Sequence, residues 1–531
     1  MGPREYGNGI RVFGYRRERL TGLPDRVRFR CEDPSCDFSN SDGLPLQVVD
    51  DEIYEQPPTL LLGTVDKFAM MPWDPEARKI FGIDNPASRS PPDLIIQDEL
   101  HLISGPLGSM VGHYETVVDE FCTNRKGDRR IPPKIIASTA TISRADEQVR
   151  AVYGRKSMLF PPQGLSAADS FFAGERAGIF GRTYVGVLAT ALPSHVTAQV
   201  RTLAALLQAP ALTVGDDEAI DGYWTLVVYF NSLRELGRAS TLVQADIREY
   251  LNSVWDRIGL TEGLLPGRAK QSRRFINNFR ELTSRLRSSD IPAILQQLFA
   301  ARPSSETIDL CYATNMIQVG LDVPRLSLMS IVGQPKTASE YIQASSRVGR
   351  DLSKPGLVVT NYNPFKPRDR SHFESFRAFH ESAYRHVEPT SVTPFSIPVC
   401  ERAVHALAVA IARFRFPELR NSPSRGVDAS RESEIRQIIL ERIRAVDSDE
   451  LGRATATLDR FLDDWNRVKP QQYGSMDGSS TDPLIWPAGR PLPPSLAYRQ
   501  GVVRPTASSM RNVDAECEAT PISVYSSGST V

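Results

Sequence analysis

Asp98-Glu99-Leu100-His101 puts two adjacent carboxylates and an imidazole directly behind the apolar run Leu94-Ile95-Ile96. Neighbouring side chains at a strand end point to opposite sides, so the two acids can hold separate jobs. Hydrolysis of a nucleoside triphosphate needs that division: one carboxylate in the shell of Mg²⁺, and a second that orients and deprotonates the attacking water. Asp98 suits the metal shell, through water, and Glu99 the attacking water. A solvated acidic loop would carry the same string, so the assignment depends on the residues downstream of it. Ser138-Thr139-Ala140-Thr141 comes about 40 residues later, behind the apolar run ending at Ala137. Small hydroxyl residues there can relay hydrogen bonds from the acids, and either Ser138 or Thr141 alone would pass for a helix cap.

Further along, Gln343-Ala344-Ser345-Ser346-Arg347-Val348-Gly349-Arg350 offers two arginines three apart, which share one face if the segment is helical. Guanidinium groups stabilise the charge that develops on a transferred phosphoryl group. Standing alone, the pair would read as surface ion pairing. It follows Ala313-Thr314-Asn315 and Gly320-Leu321-Asp322 at the distance of one more strand–helix–strand step.

These residues need elements to hold them. Short runs rich in Ile, Val and Leu end abruptly at the polar groups: Thr59–Leu62 at Gly63, Leu94–Ile96 at Gln97, Lys134–Ala137 at Ser138, Thr225–Phe230 at Asn231, Ile308–Tyr312 at Ala313, Leu326–Val332 at Gly333 and Leu357–Val359 at Thr360. Such runs suit strands buried on both faces of parallel sheets, with helical stretches between them, and α/β sheets carry their chemistry just past the strand carboxyl ends. The fold class expected is α/β with two parallel-sheet domains and a mainly helical carboxyl-terminal region. The pattern divides as residues 1–44 with a cysteine pair, 45–160 as a first, incomplete sheet domain, 161–219 as a connector, 220–365 as a second sheet domain, and 366–531 as helical accessory region and extended tail. In the last region Ile435, Ile438, Ile439, Ile443 and Val446 recur at helical spacing behind Ser433 as a cap, and Leu458, Phe461, Leu462 and Trp465 repeat the pattern.

The chain has 531 residues, enough for two to four domains, with Lys+Arg and Asp+Glu both 63. A neutral balance speaks against a tail-like nucleic-acid binder but leaves room for a local basic groove, for which the arginines between Arg11 and Arg30 are candidates. Six cysteines do not make a disulfide framework in a chain of this length, no run is long and apolar enough to cross a bilayer, and the start lacks an apolar signal region. The expectation is a cytoplasmic protein without membrane contact.

Taken in order, the motifs resemble those of superfamily 2 DExH-box helicases: Gly63 to Lys67, Asp98 to His101, Ser138 to Thr141, Phe230 to Ser232, Ala313 to Asp322 and Gln343 to Arg350. Within that superfamily the chain resembles the DrmA-type helicases of the DISARM anti-phage defence system, on Leu61 to Ala69, Ile96 to Gly108, Phe160 to Phe172, His386 to Phe395 and Ser509 to Glu518. The resemblance implies two RecA-like domains with ATP and Mg²⁺ between them. Asp98, Glu99, Arg347 and Arg350 would be catalytic. His101, Ser138, Thr139, Thr141, Gln343, Gly320 and Asp322 would couple the site to motion. Thr64, Lys67, Asn231, Ser232 and Thr314 would touch the phosphates of DNA or RNA, contacts that position a strand without reading it.

One part departs from that pattern. A phosphate-binding loop needs a glycine-rich turn followed by Lys and Ser/Thr ahead of a helix, and no Gly-Lys dipeptide occurs in the chain. Gly333-Gln334-Pro335-Lys336-Thr337 imitates it but lacks the second glycine, and it lies downstream of the acids. Two readings remain: an ATPase portion completed by an upstream segment or by other DISARM components, or a non-catalytic binding subunit or inactive remnant of such a helicase. Cys31 and Cys36 could be half of a zinc ribbon or a pair of free thiols, since a structural zinc site needs four ligands.

Overall fold

The computed structural model describes residues 4–5, 11–12, 15–18 and 26–510, apart from 32, 40–42, 85–88, 127–128, 140–143, 163–180, 214–216, 262–272, 288, 315–321, 352 and 389–390. The chain forms two compact units. The first gathers residues 1–139, 144–158 and 390–531, and the second residues 140–143 and 159–389.

In the first unit, strand β1 (Leu94–Gln97) leads through a short turn into helix α1 (Gly105–Cys122), and strand β2 (Lys134–Ala137) into helix α2 (Ala145–Tyr153). β1 and β2 pair in parallel, Leu94 opposite Lys134 and Ile96 opposite Ile136. This is a sheet of two strands, and it is buried on one face only. Ile95 and Ile135 pack against the core, while Leu94, Ile96 and Ile136 on the other face lie open. The expectation that both faces would be covered fails here. Residues 59–64 also lie outside any strand.

The second unit holds the parallel α/β architecture expected from its apolar runs. Its elements are β3 (Arg182–Leu188), α3 (His195–Leu212), β4 (Leu226–Phe230), α4 (Leu233–Gln244), α5 (Asp246–Thr261), β5 (Phe279–Leu282), α6 (Ile291–Phe299), β6 (Leu310–Ala313), β7 (Leu328–Val332), α7 (Ala338–Ser345) and β8 (Gly356–Tyr362). Six strands run in the order β5-β6-β4-β7-β8-β3, all parallel. Every residue of β4, β6 and β7 is buried, as central strands covered on both faces require. Val227, Tyr229, Cys311 and Met329 face one apolar layer, and Val228, Phe230, Tyr312 and Leu328 the other. Residues 182–212, read as connector, supply the edge strand β3 and helix α3, whose Val200, Leu203 and Leu207 join the second layer.

After residue 390 the chain returns to the first unit. Helix α8 (Ile397–Arg415) is buried from Ala403 to Phe414, the mark of a helix at the centre of a core rather than on its surface. Helices α9 (Ala429–Val446) and α10 (Leu451–Val468) present Ile435, Ile439 and Ile443, and Leu458, Phe461, Leu462 and Trp465, to that core. The cap of α9 is Asp428, whose carboxylate accepts from the Arg431 amide at 3.0 Å, and not Ser433, which lies a turn inside the helix. The extended stretch beyond is packed in place as far as Met510: the Tyr473 hydroxyl donates to Leu419 O at 2.6 Å, and Met510 is buried.

Candidate functional site

The acids sit where β1 ends. Glu99 takes a left-handed backbone conformation, φ 51° and ψ 49°, which turns the chain sharply out of the strand. The turn is fixed from several sides. The Asp98 carboxylate accepts from the Glu99 amide at 2.9 Å, the Leu100 amide donates to Ser138 O at 2.8 Å, and the buried Gln148 amide group donates to Leu100 O at 3.0 Å and Ile103 O at 2.6 Å. A non-glycine residue at positive φ costs free energy and persists only where its surroundings hold it. The Ser138 hydroxyl, at the end of β2, donates to the same Asp98 oxygen, Oδ1. Asp98 is exposed; Glu99 is partly exposed, with its Oε2 3.3 Å from Nδ1 of the largely buried His101. Thus Asp98, Glu99, His101 and Ser138 form one polar cluster across two strand ends. Thr139 lies beside it with its hydroxyl buried and without a partner among the described residues. Thr141 lies outside the described residues.

Thr64 and Lys67 are exposed on a short 3₁₀ turn of the same unit, and the Lys67 ammonium pairs with Asp50 at 2.6 Å. Two of the stretches that carry the resemblance meet near that turn, since Asp66 accepts from the Ser509 hydroxyl at 2.9 Å and the Met510 amide at 3.1 Å. Two others meet at the start of α1. The Gly105 amide donates to Ser391 O at 2.8 Å, the Thr393 amide to Ser109 Oγ at 3.0 Å, and His113 Nδ1 bonds Pro394 O at 2.9 Å. A Cβ on Gly108 would lie 2.6 Å from Ile103 O, so glycine is required for this approach.

In the second unit the corresponding polar residues also lie at strand carboxyl ends. Asn231, after β4, donates its side-chain amide to Val332 O at 2.9 Å and Gly333 O at 3.3 Å, tying two strand ends together. Ser232 caps α4, accepting from the Glu235 amide at 3.2 Å. Thr314, after β6, is buried, and its hydroxyl finds no partner among the described residues. Gly320 lies outside the described residues. The arginines do not share a helix face: α7 stops at Ser345, and Arg347 to Arg350 form a turn in which Gly349 has φ +64°. Gln343, inside the last turn of α7, is buried, Arg347 is half-buried, and exposed Arg350 pairs with Asp322 at 2.6 Å.

The loop-like Gly333 to Thr337 holds no free cradle. Thr337 and Glu340 close a capping box at the start of α7, and the Ala338 amide donates to the Glu388 carboxylate at 2.9 Å. Protein carboxylates therefore already occupy the amides a phosphate would use. Asp369, which the sequence did not single out, organises this end of the sheet: fully buried, it accepts from the Gln334 amide at 3.2 Å and the Asn363 amide at 2.8 Å. It lies in a charged helix start, where nothing in the sequence separates it from a surface acid. Cys31 and Cys36 are half-buried free thiols, and among the described residues no cluster of three or more metal-ligating side chains occurs. No helix among them is long and apolar enough to cross a membrane.

Comparison with known proteins finds one family match and several similar chains. Residues 269–351 match the helicase conserved C-terminal domain, a span that runs from before β5 through the arginine turn. The match shows a helicase conserved C-terminal domain within this chain. Over 474 residues, 83% of its length, it is 41% identical to the DISARM protein DrmA of Bacillus paralicheniformis, and it spans 41% of that relative. Solved structures similar to it include Mycobacterium smegmatis helicase Lhr bound to ssDNA and AMP-PNP (TM-score 0.49, 15% identity, 77% of this chain and 42% of that one). The DUF1998 helicase MrfA bound to DNA and AMPPNP is another (TM-score 0.44, 16% identity, 68% of this chain and 41% of that one).

Proposed function

We propose that this chain is the acid- and arginine-bearing portion of a nucleic-acid-dependent ATPase of a DISARM-type defence system, active when a further polypeptide segment supplies the phosphate-binding loop. The observation that carries this reading is the cluster at the ends of β1 and β2. Two strands that part company for about 40 residues bring Ser138 onto Asp98, with Glu99 and His101 alongside. Bound ATP and Mg²⁺ would supply the phosphoanhydride and the charge neutralisation. The exposed Asp98 carboxylate fits the metal's water shell, held in orientation by Ser138 and the Glu99 amide. Glu99 fits the base that takes a proton from the attacking water, with His101 fixing its carboxylate. The triphosphate cradle does not fit any loop among the described residues, so no step is assigned to one.

Arg347 and Arg350 would stabilise charge on the transferred phosphoryl group. The exposed pair between Arg350 and Asp322 does not oppose that, because such pairs are worth about 0–1 kcal/mol and exchange partners readily. Thr64, Lys67, Thr314, Asn231 and Ser232 are the proposed contacts for nucleic-acid phosphates. The buried, unpartnered Thr314 hydroxyl favours its inclusion, whereas the amide of Asn231 and the hydroxyl of Ser232 already have structural bonds. The test combines the chain with the part of B. paralicheniformis DrmA that lies outside the matched stretch, and measures ATP turnover with single-stranded DNA. DNA-stimulated turnover that Glu99→Gln abolishes is expected. Turnover untouched by that substitution would remove the acids from the mechanism.

A further inference from the structure

In the second unit, the loop that leaves β8 reads Asn363-Pro364-Phe365-Lys366-Pro367, and its phenyl ring is 74% exposed. A single exposed phenylalanine is ordinary by itself. This one is held still. The Asn363 amide donates to the buried Asp369 carboxylate at 2.8 Å, the Phe365 amide to Asn363 Oδ1 at 2.9 Å, and the Lys366 amide to Asn363 O at 3.1 Å. The two prolines restrict the backbone on either side, and the Lys366 ammonium is tied to Glu235 of α4 at 2.7 Å. A ring presented on so fixed a backbone loses little freedom when something stacks on it.

The surroundings of the ring are cationic. All six strands run parallel, so the residues that follow them lie along one edge of the sheet. That edge carries exposed Arg285 after β5, Arg234 in the first turn after β4, Lys336 after β7 and Arg368 after β8. Four acids of the same edge are turned to other work. Glu235 holds Lys366, Glu340 closes the capping box of α7, Asp369 accepts from the amides of Gln334 and Asn363, and Glu388 accepts from the Ala338 amide. From β5 to β8 is four strand spacings, about 19 Å, the length of about five stacked nucleotides. One ring among lysines and arginines is too small an apolar patch for a protein partner. It suits a polyanion that also carries flat apolar faces, which is a single strand of nucleic acid.

We propose that Phe365 is a stacking platform for one base of a single strand of DNA or RNA, whose phosphates run along Arg285, Arg234 and Lys336 towards Arg368. The proposal rests on the reading that this chain binds nucleic acid, and it adds to the phosphate contacts a residue that grips a base. Every base has a π-face, so stacking here holds the strand at one fixed point without reading its sequence.

The experiment measures binding by the whole chain without ATP, so that it stands apart from catalysis. The probe is a short oligothymidylate in which a single 2-aminopurine, a base whose fluorescence falls on stacking, is moved through successive positions; the same series in oligouridylate separates DNA from RNA. Quenching concentrated at one position is expected on whichever strand binds, lost in Phe365→Ala and kept in Phe365→Trp. Phe365→Ala should weaken binding about 10-fold or more. Its melting temperature and the slope of affinity against salt should not change, because the ring lies outside the core and no phosphate contact is removed. Arg234→Ala with Lys336→Ala should instead make that slope shallower by about 2. An abasic nucleotide at the quenched position should weaken the parent about as much as Phe365→Ala does, and should cost Phe365→Ala almost nothing further. A strand bound equally by parent and Phe365→Ala, or an abasic nucleotide that costs the variant as much as the parent, would overturn the proposal and leave the nucleic-acid reading standing. A parent chain that binds neither strand would defeat both.

Discussion

Glu115 lies in the middle of α1, buried in the core of the first unit, and burial pushes its carboxyl up to about 8 even though Arg442 and Arg155 pull it down and Asp119 adds to the rise. A carboxyl raised in the folded state contributes its stability fully below the unfolded value near 4.5, and that contribution is lost as pH climbs towards 8. At pH 7 the unfolded chain has ionised Glu115 and the folded chain has not. The cost is about 1.36 kcal/mol for each of roughly 2.5 pH units, or about 3 kcal/mol. Glu115→Gln has no proton to lose and nearly the same shape. The variant should therefore be about 3 kcal/mol more stable than the parent at pH 7, with the difference shrinking to near zero at about pH 4.5. His113 and His405, buried and held down to about 4 and about 3, work the other way, since their contribution is present above about 6.5 and is lost as the pH falls. They are common to both proteins, so the difference between variant and parent isolates Glu115. The slowest-exchanging amides of α1 report the global opening of this unit and give the free energy directly. A difference that does not change between about pH 4.5 and pH 7, or a variant less stable at pH 7, would refute the reasoning.

Two further outcomes come from the geometry of the turns. Gly349→Ala places a Cβ 2.4 Å from the Gly356 nitrogen and 2.5 Å from its Cα at a residue with φ +64°, so the second unit should lose at least about 3 kcal/mol, read as a lowered urea midpoint with an unchanged slope. The chain on its own should bind ATP weakly and turn it over barely above background, because the amide at Ala338 is taken by Glu388 and no glycine-rich cradle is at hand among the described residues; steady turnover at ordinary helicase rates from pure chain would contradict this.

The second unit was largely legible because its strands are central. Leu226 to Phe230 and Leu328 to Val332 are apolar on both faces, and a buried parallel strand leaves no other pattern. Asp98, Glu99 and Ser138 were legible because each lies directly behind such a run. What stayed hidden depended on contacts distant in sequence. Nothing local says that α8 to α10, nearly 300 residues beyond α1, build the core on which α1 lies, although the unbroken apolar surface of Ala403 to Phe414 marks a helix destined for an interior. Ser433 looked like the cap of α9, but Asp428 sits ahead of five more residues that the helix takes in before its apolar stripe begins. Arg347 and Arg350 would share one face only in a helical segment, but the helix stops at Ser345 and Gly349 turns left, which lets Gly356 approach. The run at Leu94 to Ile96 promised a sheet covered on both faces, and only one face is covered, because no other element among the described residues covers that side.

The most direct test of the central claim is a paired measurement on the completed protein: ATP binding and DNA-stimulated ATP turnover, parent against Glu99→Gln. The exchange keeps the shape of the side chain at the left-handed turn and removes the group that accepts the proton. Turnover should fall by about 100-fold or more with ATP affinity changed by no more than about 3-fold. Turnover at the parent rate in Glu99→Gln, with binding intact, would show that the acids at the end of β1 do not perform the hydrolysis.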